Sequence, residues 1–183
     1  MSRALAVLLA AVALLAVNPA RAQGMFNFFG GGFGSSSPIP RELVSFQGRY
    51  APGTIVISTS ERRLYLVLRN GQALKYGIGV GREGFSWSGS HRITAKKEWP
   101  GWTPPSQMLA RRPDLPRYLP GGIQNPLGAR AMYLGSTLYR IHGSNEPETI
   151  GHAVSSGCIR MTNEDVTDLY NRVSVGTMVV VGN

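Results

Sequence analysis

Three residues in this chain can do acid–base or nucleophilic chemistry close together. Cys158 is the only cysteine, and two of the three histidines, His142 and His152, precede it within the stretch IHGSNEPETIGHAVSSGCIRM at 141–161. A thiol attacks efficiently only as thiolate, so a working cysteine needs a base or a positive charge beside it. His142 can fill that role by taking the thiol proton, holding a thiolate–imidazolium pair and later protonating a leaving amine. The stretch therefore reads as an acyl-transfer site. The imidazole needs an orienting acceptor. No Asp or Asn is evident for it, which leaves a backbone carbonyl, with that of Gly143 as the candidate. His152 is the rival base, ranked second because a base at a strand end is held more rigidly than one in a loop. Gly157 lets the backbone turn sharply and lets substrate approach, with the small residues Ser155 and Ser156 before it. The N–H groups at Cys158 can then face an oxyanion, each good donor lowering the barrier by roughly 3 kcal/mol. Arg160 shares a face with Cys158 if the segment is extended. It either receives a substrate carboxylate or pairs with a structural acid such as Glu164. No metal is expected, because the Cys158, His142 and His152 spacing matches no common zinc pattern. No cofactor is expected either: GIGVGREG at 77–84 is glycine-rich, but no helix pattern follows it.

The elements that must position these residues are mostly strands. TIVIST (54–59) reads as a buried strand. RLYLVLR (63–69) and QALKYGIGV (72–80) flank Asn70-Gly71, a strong two-residue hairpin signal. HRITAKKEW (91–99), AMYLG (131–135) and LYRIHG (138–143) follow, the last delivering His142. Thr162 caps a helix whose stripe Val166, Leu169, Tyr170 and Val173 faces the core; Gly176 ends it, and TMVVV (177–181) is a final strand. Residues 99–130 carry seven of the twelve prolines and little periodicity, with one short helix expected at 106–111. This excursion reads as a wall or lid over the site, or as cover for a sheet edge. The fold class is a mostly-β single domain with one or two short helices.

The chain opens with MSR and an apolar run, Leu5 to Val17, then Asn18-Pro19 and Ala20-Arg21-Ala22. This pattern predicts a signal peptide over 1–22, because the run is too short to span a membrane comfortably. Residues 23–51, rich in Gly, Ser and Pro at their start, are expected to be a flexible leader, and 52–183 the catalytic domain. The mature chain is expected to carry no transmembrane segment and to work outside the cytoplasm. A single cysteine there cannot form an internal disulfide, so it is either buried or used. The formal charge of +9, lowered by two if Arg3 and Arg21 leave, suits an anionic partner. Export argues against nucleic acid and for carboxylate-bearing wall polymer.

With these residues in view, IHG followed by SSGCIRM resembles the signature of the YkuD-type L,D-transpeptidases. LYLVLRNGQALKYGIGVG is similar to that family's early hairpin and KKEWPGWTPP to its later loop, so the resemblance spans 54–181. It implies a mixed, β-sandwich-like domain and a cysteine transpeptidase of bacterial peptidoglycan, in the periplasm or cell wall. It further implies Cys158 as nucleophile, His142 as proton acceptor and donor, the Gly143 carbonyl as orienter, and Ser155, Ser156, Gly157 and Arg160 in support. The partners implied are peptidoglycan stem peptides and an acceptor that is another stem, a lipoprotein lysine, a free D-amino acid or water. With water the enzyme is an L,D-carboxypeptidase. The chain departs from the family pattern at Ser86-Trp87-Ser88-Gly89-Ser90-His91, where many members have Thr-Pro-x-Gly-x-aromatic, and at Ser156, often His. A papain-like peptidase is disfavoured, because there the cysteine precedes the histidine. A non-catalytic wall-binding protein is the reading from another class.

Overall fold

The computed structural model describes residues 37–182. The signal peptide expected at 1–22 and the leader up to residue 36 lie outside the described residues. Alternating apolar residues build the first hairpin. In β2 (Ile55–Ser58), Ile55 and Ile57 point inward; in β3 (Arg63–Val67), Leu64 and Leu66 do; in β4 (Gln72–Gly77), Tyr76 is fully buried. The β3–β4 turn has both central residues, Asn70 and Gly71, at positive φ (59° and 65°). That geometry matches the right-handed twist of the strands, which is why Asn-Gly is favoured there.

Strand β1 (Glu42–Ser45) lies inside the stretch expected to be flexible leader, yet it pairs antiparallel with β4. Ion pairs hold it: Glu42 to Lys75 at 2.7 Å and, just before the strand, Arg41 to Asp168 at 3.1 Å and to Asp165 at 3.6 Å. Its residues are largely exposed, so no apolar alternation announced it.

The remaining strands are β5 (Val80–Gly81), β6 (Gly89–Glu98), β7 (Arg130–Leu134), β8 (Arg140–His142), β9 (Ala153–Ser155), β10 (Ile159–Arg160) and β11 (Met178–Gly182). Nine of the described strands form one mixed sheet in the order β1-β4-β3-β2-β11-β6-β7-β8-β10, and β5 pairs with β9 beside it. The long strand β6 joins the two halves. Its first residues pair with β11 and its last with β7, with a register shift between Ile93 and Ala95. Such irregularities bend a strand. Residues of both halves share one core: Ile55, Leu64 and Tyr76 with Met132, Ile141 and Ile159. The expected mostly-β domain is thus built on a nine-stranded mixed sheet with a two-stranded sheet beside it.

Two helices complete the fold. The short α1 (Ser106–Arg111) lies in the proline-rich excursion, and α2 (Asn163–Arg172) packs on β7. Thr162 caps α2 by accepting the Asp165 N–H at 3.2 Å, and Val166 and Leu169 are buried beneath it. The Tyr76 hydroxyl, otherwise stranded in the core, donates to Asp168 of α2 at 2.7 Å. Among the described residues no helix is long and apolar enough to cross a membrane.

Candidate active site

Strands β8 and β10 lie parallel, with Ile141 opposite Ile159 and His142 opposite Arg160. Alternation sorts their side chains. Ile141, Ile159 and Met161 enter the core, while Arg140, His142 and Arg160 face a cavity of about 370 Å³ that Cys158 also lines. The pairing of two strands sixteen residues apart is what brings His142 and Cys158 to one cavity wall.

The imidazole of His142 is only 4% exposed, and its Nδ1 lies 2.6 Å from the Gly143 carbonyl. A carbonyl only accepts, so Nδ1 carries the proton and Nε2 presents a lone pair. Burial pushes the imidazole down to about 4, helped by the charges of Arg160 and Arg140 and opposed by the Gly143 carbonyl. At neutral pH the ring is therefore an unprotonated base.

Cys158 is half-buried, with Sγ 3.8 Å from the Leu138 carbonyl. The turn before it is braced at several points. Gly157 sits at φ +104°, and a Cβ there would lie 2.6 Å from Tyr139 Cε1, so only glycine fits. Buried Ser155 accepts the Gly157 N–H at 3.1 Å and donates to the Cys158 carbonyl at 2.7 Å. Ser156 lines the cavity and receives a long contact from Arg82 at 3.5 Å. Arg160 pairs with Glu146 at 2.8 Å rather than with Glu164. Arg140, by contrast, has its Nε buried without a hydrogen-bond partner.

His152 is exposed and does not line the cavity, whereas His142 and Cys158 both do. Among the described residues no three His, Cys, Asp or Glu side chains gather as a metal site. The glycine-rich stretch at 77–84 runs through β5 into a turn, not a helix, so it offers no helix N-terminus to a dinucleotide phosphate.

Much of the opposite wall comes from the excursion, through Trp102, Pro105, Met108, Arg111 and Leu127. The excursion is tied at its neck, where Trp99 N donates to Ala129 O at 2.8 Å. Trp102 and Leu119 exchange both backbone bonds, at 2.8 Å each. Inside it, buried Asn125 donates to the Pro120 carbonyl at 2.9 Å and accepts from Leu127 N at 2.9 Å.

Sequence reasoning did not single out Asn125, Asn163 or the role of Trp87. Asn163 Oδ1 accepts the Ala129 N–H at 2.8 Å and lies so close to Gly128 and Gly143 that a Cβ on either would collide with it. Trp87 donates to the Gly157 carbonyl at 2.7 Å. Its signal was present, since it stands in the loop that departs from the family pattern.

Comparison with known proteins gives the family. The profile of the YkuD L,D-transpeptidase catalytic domain matches residues 52–181. This chain belongs to the L,D-transpeptidase family. The probable L,D-transpeptidase ErfK/SrfK of Escherichia coli is 36% identical over 159 residues, covering 81% of this chain and 49% of that protein. The chain thus spans about half the length of that curated relative. An L,D-transpeptidase from Mycobacterium smegmatis shares the fold, with a TM-score of 0.58 at 18% identity over 73% of this chain and 59% of that one. A Brucella melitensis protein described as a probable carnitine operon oxidoreductase, caia, is 48% identical with a TM-score of 0.53, covering 78% of this chain and 93% of that one.

Proposed function

We propose that this L,D-transpeptidase family member is an exported acyltransferase that acts on peptidoglycan stem peptides through a thioester on Cys158. One observation carries the reading: a half-buried thiol and a buried imidazole, its tautomer set by the Gly143 carbonyl, line the same cavity.

In this mechanism Sγ attacks the carbonyl carbon of the L-centre residue of a donor tetrapeptide, and the thiol proton passes to His142 Nε2. The resulting oxyanion collapses, the C–N bond breaks, and the imidazolium returns that proton to the leaving D-alanine amine. An acceptor amine then attacks the thioester. Its proton goes to Nε2 and on to the departing sulfur, restoring the thiol. One amide is exchanged for another, so no nucleotide is consumed.

Burial disfavours the imidazolium form of His142, and with it a standing thiolate–imidazolium pair. Proton transfer instead accompanies attack. A substrate carboxylate beside Arg140, which lines the cavity, would offset the positive field and raise the imidazole's proton affinity. Arg160, already paired with Glu146, is then chiefly a brace for the site.

The test is incubation of the purified protein with a defined tetrapeptide donor and a panel of acceptors: a second stem, a lysine peptide, a free D-amino acid and water alone. Cross-linked or exchanged product by mass spectrometry supports transfer. Tripeptide alone assigns the chain as an L,D-carboxypeptidase. Binding to wall polymer without turnover would leave the non-catalytic reading.

A further inference from the structure

The Gly157–Cys158 peptide is gripped from behind by a residue outside the motif. The Trp87 indole N–H donates to the Gly157 carbonyl at 2.7 Å, across seventy positions of sequence. The indole lies flat on Tyr139, with centroids 4.3 Å apart and planes 2° from parallel, and His91 meets its edge at 5.5 Å. Tyr139 in turn presses on the face of Gly157 where a side chain would be. An indole N–H with a partner and a stacked ring is a well-determined anchor.

Three of the four backbone polar groups of Gly157 and Cys158 are engaged. Ser155 takes the Gly157 N–H and bonds the Cys158 carbonyl, and Trp87 takes the Gly157 carbonyl. Among the described residues no hydrogen bond uses the remaining group, the Cys158 N–H. A trans peptide is planar, with C=O and N–H antiparallel. Whatever fixes the Gly157 oxygen therefore also fixes the direction of the Cys158 N–H. The Cys158 N–H is thus turned away from the indole, and Cys158 lines the cavity while Trp87 does not. A donor on the carbonyl also polarises the peptide and strengthens its N–H as a donor.

We propose that Trp87 is a positioning residue for acyl transfer, holding the Gly157–Cys158 peptide so that the Cys158 N–H meets the oxyanion formed on attack. This rests on Cys158 being the nucleophile.

Two rates at the same sulfur separate the roles. Alkylation by iodoacetamide needs the reactive sulfur but forms no oxyanion. Acylation by a synthetic tetrapeptide ending in D-alanine needs both. Trp87→Phe keeps the stack and removes the N–H. The expected result is alkylation within about twofold of wild type and an unchanged KM. Acylation kcat should fall roughly ten- to a hundredfold, less than the loss of an oxyanion donor outright. Trp87→His retains a ring N–H and is expected to recover part of that loss; if Trp87→Phe does not fold, Trp87→Leu, which also lacks the N–H, carries the same pair of measurements. Equal acylation of wild type and Trp87→Phe would overturn the proposal alone. So would alkylation falling in step with acylation, which would make Trp87 a purely structural support. Acylation of the wild type at a residue other than Cys158 would overturn the nucleophile and this proposal together.

Discussion

His142 gives up basicity in order to be held. Burial favours its neutral form, so the folded chain binds that proton less readily than the unfolded chain, whose imidazole titrates near the ordinary value of 6.5. The unfolded state therefore takes up a proton first as pH falls. The stabilisation is complete above about 6.5 and is lost on acidification through about 4, a change of about 3 kcal/mol. We expect urea midpoints of the wild type to drop across that window, and His142→Gln, which cannot titrate, to lack this component of the slope. Parallel slopes would mean that the imidazole is not buried in its neutral form. At this scale the sequence was informative wherever a residue's role is set by its neighbours. Gly143 beside His142, and Ser155 and Gly157 beside Cys158, could be read locally. Trp87 and Asn163 could not, because their partners lie 70 and 34 positions away.

Elements with their own periodicity were legible for the same reason. β2, β3, β4, β7 and α2 carry apolar alternation or a helical stripe, and Asn70-Gly71 states its turn. β9 and β10, three and two residues long, have no pattern of their own and exist because partners pair with them. β1 is similar, an exposed edge strand fastened by ions rather than by apolar burial. The excursion at 99–130 is the element most open to perturbation, since few of its side chains are buried. Asn125 is its internal tie. Asn125→Ala leaves the Leu127 N–H and the Pro120 carbonyl without that side-chain partner, at a cost of roughly 1–3 kcal/mol. Because that loss falls on the cavity wall, we expect a raised donor KM and earlier proteolytic nicking between 99 and 130, with alkylation of Cys158 little changed. An unaltered KM would detach the excursion from substrate binding.

At the scale of the whole molecule, two properties act together. Strand β6 pairs with both halves of the sheet, whose residues share one core, and the β8–β10 end of the sheet carries the cavity. The chain is also strongly basic, with an isoelectric point near 10.3. A partner rich in carboxylates is attracted over a distance that salt shortens to about 10 Å at 0.1 M. Retention of the protein on isolated cell-wall sacculi is expected to weaken steadily as sodium chloride rises from about 50 to 500 mM. Salt-independent retention would assign binding to the exposed apolar residues instead.

The most direct test of the central claim is intact-protein mass spectrometry after brief incubation with a tetrapeptide donor and no acceptor. The expected result is a single adduct equal to the donor less D-alanine, mapped to Cys158, absent from Cys158→Ala and strongly reduced in His142→Gln. Undiminished product from Cys158→Ala, or an adduct on any other side chain, would contradict it.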